Sequence, residues 1–198
     1  VSSVYGEGSV RFLSPTGVAV ENLLPGSSTI HGGLSINPKV TVSLPALSKK
    51  DGTRVLEHFK NAVVVGIDEI SMTQPKLFAF VEQRLKQIAR SIAKTDRLTL
   101  SENLPFGGFV VLVLGDFLQI PPVGSSSLLA VSLRPPENAL NAHAGMLWRK
   151  FQMIELKQQM RALEPQQQRR VEILRGGCVT EELIESIKVL TEEDLRGK

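Results

Sequence analysis

Apolar residues along this chain follow two patterns, short unbroken runs and one long run at helical spacing. Such runs lie within "NAVVVGIDEIS" at 61–71 and "FVVLVLG" at 109–115, and a third, shorter strand is predicted at "SVRFL", residues 9–13. Runs of this kind, rich in β-branched residues, are typical of strands buried on both faces of a sheet. The long run lies at 73–94, where apolar residues recur at helical spacing at Leu77, Val81, Leu85, Ile88 and Ile92.

The segments between these runs predict further helices and two loops. Helices are predicted at 18–24, 143–151, 166–177 and 180–190, the last beginning with Thr180 in a capping position. Segments 25–36 and 125–145 are predicted to be loops. Strands that alternate with helices predict an α/β fold, with a mostly parallel sheet that is flanked by helices on both faces.

Composition and charge set limits on the class of protein. The 198 residues suffice for one α/β domain, or for one domain with an appendage. The net charge of +3 is compatible with a polyanionic partner and is weak evidence for one. The single cysteine, Cys178, excludes an intrachain disulfide framework and a cysteine-cluster metal site. No apolar run approaches the roughly 20 residues that a membrane span needs.

Two of the predicted strands end in acidic residues. Asp68 and Glu69 follow "VVVGI", and Asp116 follows "LVLG". Ligands of open α/β sheets gather at the carboxyl ends of the strands, where one acid can hold a hard cation and a second can activate a water. This is the layout of the Walker B motif in P-loop ATPases. Taken alone, the pattern favours a structural role in which Asp68 caps the following helix.

The motifs around these acids change that interpretation. "DEISM" at 68–72 is followed by an amphipathic helix and then by "LPFGGFVVLVLGDFLQIPPV" at 104–123. In this order and spacing, the motifs resemble the 5′-to-3′ DNA helicases of the petite-integration-frequency family, within helicase superfamily one. Only Ile120, in place of leucine, departs from the last motif. Phe117 and Pro121-Pro122-Val123 favour this family over the broader RecD-like helicases.

Two other segments carry a weaker part of the resemblance. "LSPTGVAVENLLPGSSTIHGGLSI" at 13–36 resembles the first DNA-contact motif of the family. "LWRKFQMIELKQQMRA" at 147–162 resembles the segment that leads to the fourth motif, in which Leu156 and Arg161 fit the spacing and Ala162 replaces the usual glutamine.

The resemblance implies a RecA-like P-loop NTPase domain with ATP and Mg²⁺ as cofactors. Asp68 would serve Mg²⁺, and Glu69 would activate the hydrolytic water. Gln119 would contact the γ-phosphate, and Asp116 would order the loop and the water shell of the ion. Arg161 would be the arginine finger; the alternative is an ordinary solvated helix arginine.

The resemblance also implies contacts to single-stranded DNA, beside duplex junctions. The residues that would make them are Pro15, Thr16, Gly17, Thr29 and His31. His31 would stack on a base or donate to a phosphate, and the alternative is a loop histidine that caps backbone groups. The basic residues of helix 73–94 are interpreted as a solvated face. Core packing is predicted for six aromatic residues, Phe12, Phe59, Phe78, Phe80, Trp148 and Phe151.

The phosphate-cradling motif Gly-x-x-x-x-Gly-Lys-[Ser/Thr] does not occur in these residues. In the family it lies just upstream of "RFLSPTG". We therefore expect residues 1–150 to form a first RecA-like motor domain that is incomplete at its N-terminus. Residues 151–198 are expected to form a linker and the start of the second motor domain. The expected parent is a longer intracellular protein, nuclear or mitochondrial if eukaryotic.

The sequence is compatible with three functional hypotheses. The first is a fragment of an ATP-dependent helicase that couples hydrolysis to translocation and unwinding, with implied roles in DNA repair, recombination and telomere maintenance. The second is an inactive, decayed or truncated copy that acts as a binding module. The third is a metal phosphohydrolase built on Asp68, Glu69 and Asp116; it ranks last because it lacks the histidines or further carboxylates of such sites.

Overall fold

The computed structural model describes residues 6–92, 100–158, 160, 164–177 and 180–186. These residues belong to two compact units. The first unit ends at Phe151 and the second begins at Gln152.

The first unit is built on a four-stranded sheet of order β2-β1-β3-β4. Its strands are β1 (Val10–Ser14), β2 (Ser28–Thr29), β3 (Val64–Ile67) and β4 (Val110–Val113). Each neighbouring pair is parallel. The predicted mostly parallel α/β sheet is therefore confirmed, and each of the three predicted strand segments overlaps one strand. The short β2 falls inside a segment that was predicted to be a loop.

One glycine shows how closely the central strands pack. Phe12 of β1 lies opposite Gly66 of β3 in the parallel register. A Cβ atom on Gly66 would lie 2.3 Å from Cε1 of Phe12, far inside van der Waals contact. Glycine at this position lets the phenylalanine ring lie across the neighbouring strand, while the other face of the sheet buries Leu13 and Val65 completely.

One edge of the sheet is open among the described residues. There β4 pairs with β3 alone. Two apolar side chains of β4 remain exposed, Val110 at 58% and Leu112 at 46%. An edge strand normally carries charged or proline residues that block further pairing, and β4 carries neither. The sequence of β4 is therefore typical of an interior strand, although β4 lies at the edge of the described sheet.

The described residues of the first unit form six helices: α1 (Gly17–Glu21), α2 (Ile30–Gly33), α3 (Lys49–Phe59), α4 (Pro75–Ile92), α5 (Leu128–Leu133) and α6 (Ala139–Trp148). The prediction of a loop at 125–145 was wrong, because two capped helices begin there. Ser127 Oγ accepts from the Ala130 amide at 3.2 Å, and Asn138 Oδ1 accepts from the Asn141 amide at 2.9 Å. Such caps, together with burial of Leu128, stabilise helices too short to show clear periodicity.

Helix α4 carries the core that its periodicity predicted, and an aromatic cluster forms beside it. Phe78, Phe106, Phe117, Trp148 and Phe151 make up this cluster, with ring centroids of neighbouring members 5.3 to 6.2 Å apart. The predicted packing role of Trp148 and Phe151 is confirmed. The predicted core positions Phe59, Phe78 and Phe80 are buried as well, and Phe12 is half-buried.

Arg84 contradicts the interpretation of α4 as having a uniformly solvated basic face. Its side chain is 1% exposed. Nη1 donates to the carbonyl oxygen of Pro45 at 3.1 Å, and Nη2 donates to that of Ser35 at 3.2 Å. The sequence pattern could not reveal this, because the carbonyls belong to a segment 39 to 49 residues away along the chain. Arg84 thus fastens that segment to α4.

Replacing Arg84 with methionine is expected to lower the free energy of unfolding by about 2 kcal/mol, since two carbonyls lose a charged donor. The matched control is Arg90→Met on the same helix, whose side chain is 69% exposed and pairs with Glu102 at 3.4 Å. An exposed pair of this kind contributes less than about 1 kcal/mol. Urea unfolding of both variants tests the difference, and equal losses would contradict the fastening role of Arg84.

The second unit contains helices α7 (Pro165–Arg175) and α8 (Glu181–Ser186). Thr180 Oγ1 accepts from the Leu183 amide at 3.2 Å, so the predicted cap of the last helix is confirmed. Among the helices that the structure describes, none is long and apolar enough to cross a membrane.

Candidate functional site

The predicted acids Asp68 and Glu69 lie directly after β3, at the carboxyl edge of the sheet. The Asp68 amide donates to Leu13 O of β1, and the Ile70 amide donates to Leu114 O beyond β4, both at 2.9 Å. These bonds hold Glu69 between two strand ends in the left-handed region, at φ 51° and ψ 44°. A non-glycine residue there carries strain of about 1–3 kcal/mol, which persists only when its surroundings fix it.

No side-chain cap stands at the start of the short 3₁₀ turn Ile70–Met72 that follows these acids. Both carboxylate side chains are half-buried at the surface of the sheet edge. The local geometry thus leaves Asp68 and Glu69 next to each other at the place where ligands of parallel sheets bind.

The loop after β4 runs beside these acids. A Cβ atom on Gly115 would lie 2.9 Å from the backbone nitrogen of Ile70, so glycine allows the two backbones to approach. Asp116 Oδ1 then accepts from the Leu118 amide, and Asp116 O accepts from the Gln119 amide, both at 3.0 Å. Asp116 therefore orders a tight turn, and Gln119 follows it with an exposed side chain.

Both ends of this loop are fastened to the body of the unit. Phe117 packs edge-on against Trp148 of α6, with ring centroids 5.3 Å apart. At the far end, Gln74 Nε2 donates to Val123 O at 3.1 Å. Because Gln74 lies six positions after Asp68, this bond joins the segment that follows the paired acids to the end of the proline-containing loop.

The donor set fits part of a magnesium shell. Mg²⁺ in phosphate-transfer sites is commonly held by one or two carboxylates, with phosphate oxygens and waters completing the octahedron. Asp68 and Glu69 can supply the carboxylates, and the Ser71 hydroxyl nearby in sequence is buried without a hydrogen-bond partner in the part of the chain described. No group of three or more potential ligands that could hold a metal occurs among those residues, so the carboxylates alone form no complete cage.

A groove of about 340 Å³ lies where several of the predicted DNA-contact residues meet the proline-containing loop. Pro15, Thr16 and His31 line it, whereas Gly17 and Thr29 do not. The rest of the lining consists of Ile36, Asn37, Pro38, Val40, Met72, Gln74, Lys76, Leu77, Phe80, Pro121, Pro122 and Val123. The structure thus brings the "SPTG", "TIH", "DEISM" and "IPPV" segments to one surface.

Both predicted threonines act as helix caps. Thr16 Oγ1 accepts from the Ala19 amide at 3.3 Å, and Thr29 Oγ1 accepts from the Gly32 amide at 3.0 Å. Each hydroxyl keeps its own hydrogen for donation to another group. Burial lowers the pKa of His31 below its ordinary value, so the imidazole is neutral at pH 7.

Sequence reasoning missed three polar residues of the groove, Asn37, Gln74 and Lys76. Gln74 and Lys76 follow "DEISM" within four positions, so the motif itself was the signal that could have found them. Arg161, the predicted arginine finger, lies outside the described residues.

A larger and more open cavity of about 570 Å³ contains none of the predicted site residues. Arg11, Arg54 and His58 line it, and Arg11 Nε donates to His58 O at 2.7 Å. Burial, with the positive charges of Arg11 and Arg54, lowers the pKa of His58. Ser28, Gly32 and Gly33 of its lining belong to the 13–36 segment, whereas none of the acids of the sheet edge lines this cavity.

Comparison with solved structures shows the fold. The chain resembles Pif1 helicase from Bacteroides in complex with ADP-AlF3 and ssDNA, with a TM-score of 0.63 and 22% identity over 94% of this chain and 42% of that one. This likeness shows a RecA-like α/β fold, as the sequence predicted.

The family follows from the sequence comparison. A model of the PIF1-like helicase family matches residues 5–175, and the chain belongs to that family. It is 37% identical over 127 residues to the ATP-dependent DNA helicase RRM3 of Saccharomyces cerevisiae. The aligned residues cover 62% of this chain and 15% of that protein. It is 33% identical over 114 residues to human ATP-dependent DNA helicase PIF1, over 57% of this chain and 15% of that protein. The match spans about one seventh of these relatives.

Proposed function

We propose that this chain forms part of an ATP-dependent 5′-to-3′ DNA helicase, which couples ATP hydrolysis to movement along single-stranded DNA and to duplex unwinding. The observation that carries the proposal is the continuous connection between the two parts of the site. The segment that begins at Asp68-Glu69 and the loop that begins at Asp116 both run from the carboxyl edge of the sheet to the groove lined by Pro15 and His31.

At the sheet edge, each polar side chain has a distinct task in this proposal. Mg²⁺ bound with ATP would neutralise phosphate charge, and Asp68 would hold the ion. Glu69 would accept a proton from the attacking water, and Gln119 would contact the γ-phosphate through its amide. Asp116, which already orders the turn, would keep Gln119 in place and face the water shell of the ion.

The open side of β4 supports the presence of a further strand in the working enzyme. Val110 and Leu112 there are exposed and apolar, as expected for an interior strand without its neighbour. A parallel strand paired with β4 would place its own carboxyl-end loop beside Asp116. This is where a phosphate-binding P-loop would complete the ATP site.

The remaining assignments extend this proposal to the rest of the chain. Residues 1–150 would belong to the first motor domain, and residues 151–198 to a linker and the start of the second, where Arg161 would serve as the arginine finger. Pro15, Thr16, Gly17, Thr29 and His31 would contact single-stranded DNA. The proposal includes action in DNA repair, recombination and telomere maintenance, in a nucleus or mitochondrion if the source is eukaryotic, and family membership is its sole support.

The purified chain is expected to bind single-stranded DNA weakly, with a Kd of roughly 1–100 µM, and to show no DNA-stimulated ATPase. The groove is present, but no P-loop sequence occurs in these residues to hold the phosphates. Fluorescence anisotropy with a labelled oligonucleotide and a phosphate-release assay measure the two activities. Robust DNA-stimulated ATP hydrolysis would refute the proposal that a P-loop must be added to complete the ATP site. Absence of any DNA binding would refute the groove as a DNA site.

A further inference from the structure

The groove differs from a site that binds only phosphates. Among the described residues that line it, Lys76 alone carries a permanent charge, since His31 is neutral at pH 7. Ten of the fifteen lining residues are proline, aliphatic, methionine or phenylalanine. Non-specific phosphate binding depends on several lysines or arginines along the strand, so charge contributes little here.

The walls of the groove are stiff as well as apolar. Four of them are prolines, Pro15, Pro38, Pro121 and Pro122, whose rings fix the backbone φ. Phe80 at the floor is 1% exposed and belongs to α4. The cavity of about 340 Å³ is at the small end of the range of about 300–1,000 Å³ for ligand pockets. A stiff, small, apolar cavity of this size suits a single flat ring system.

Two amide side chains add polar selectivity to these walls. Asn37 Oδ1 accepts from the Lys39 amide at 2.9 Å, which leaves its NH₂ group as a donor. Gln74 uses its NH₂ group to donate to Val123 O at 3.1 Å, which leaves Oε1 as an acceptor. The groove therefore presents the NH₂ group of Asn37 as a donor and the amide oxygen of Gln74 as an acceptor.

From these observations we propose that the groove holds one unstacked nucleobase of the bound strand, and that Asn37 and Gln74 contact its Watson–Crick edge. Every base carries both donors and acceptors on that edge, so the pocket is tolerant of sequence. The edge is free only in an unpaired base, so the pocket distinguishes single strands from duplexes. The neutral ring of His31 supplies a stacking surface, and Lys76 contacts the adjoining phosphate. This inference rests on the proposed function and names the part of the DNA that the groove recognises.

The test compares two labelled oligonucleotides of equal length and charge, one of thymidines and one of abasic nucleotides, by anisotropy with the intact chain. The chain is expected to bind the thymidine strand at least about fivefold more tightly, the lower end of the contribution of one stacked base. A blunt duplex of the same length is expected to bind no more tightly than the abasic strand.

Variants assign the effect to the groove. Asn37→Ala is expected to reduce the thymidine-to-abasic ratio at least twofold while leaving abasic binding unchanged. Lys76→Ala is expected to weaken both strands by a similar factor, because the phosphate is common to both. The matched control is Asn103→Ala, an exposed amide outside the groove, which is expected to change neither strand.

Three outcomes of these binding measurements would contradict the proposal in whole or in part. Equal affinity of the intact chain for both strands would overturn the base pocket while leaving DNA binding by the groove in place. Binding of neither strand would overturn the base pocket and the DNA groove together. An equal loss of the ratio in Asn103→Ala and Asn37→Ala would remove Asn37 from the contact.

Discussion

Replacing Gly107 with alanine is expected to lower the free energy of unfolding by about 3 kcal/mol. Gly107, in the "PFGG" segment, has a φ of +69°, and its Cβ would lie 2.6 Å from Ala89 Cβ and 2.7 Å from Leu85 O of α4. The left-handed backbone costs alanine about 1–2 kcal/mol, and overpacking against a helix backbone adds about 1–3 kcal/mol. Urea unfolding followed by circular dichroism measures the loss.

Gly124→Ala separates the two contributions to that loss. Gly124 also has a left-handed backbone, at φ +65°, but a Cβ there would meet nothing within 4 Å. Its replacement is expected to cost about 1–2 kcal/mol, for the backbone alone. If both variants lose the same stability, contact with α4 is not the reason for the glycine at position 107.

Replacing Glu69 with glutamine is expected to reduce ATP hydrolysis at least about 100-fold in a longer protein that combines this segment with a P-loop. Glutamine keeps the size of the side chain but cannot accept a proton from water, and a positioned general base contributes about 10²–10⁴-fold. ATP binding is expected to persist, because the phosphates are held elsewhere. Steady-state hydrolysis and nucleotide binding should be measured on the same preparation.

The matched control for this substitution is Glu57→Gln. Glu57 is an exposed carboxylate of α3 that pairs with Lys60, away from the sheet edge. Its replacement is expected to leave hydrolysis unchanged. Full turnover in Glu69→Gln would exclude Glu69 as the base and would leave its strained backbone without a catalytic explanation.

The central part of the fold could be predicted because its signals are local. The apolar runs around Val65 and Val111 indicated strands without reference to any other part of the chain, and the 3.6-residue period indicated α4. Helix α5 and the first part of α6 were missed because their stability depends on caps and on contacts with distant residues. The burial of Arg84 was missed for the same reason, since its acceptors come from a separate segment.

The same distinction between local signals and contacts made by folding applies to the site. The motif residues Asp68, Glu69 and Asp116 are found at the carboxyl edge where strand ends were expected to bring them. The groove could be predicted only in part, because Asn37 and Gln74 lie outside the quoted motifs and meet in space alone. Pro121 and Pro122 can be identified from the sequence, but the surface that their loop helps to form cannot.

Trp148 gives the molecule an intrinsic spectroscopic reporter. It is the single tryptophan of the chain, and its indole contacts Phe117 of the loop that carries Asp116 and Gln119. Any ligand that moves this loop changes the packing and solvent access of that indole, and so shifts its emission maximum and intensity. Loop motion on binding of nucleotide or DNA can therefore be followed in the unlabelled protein, by excitation of one native chromophore.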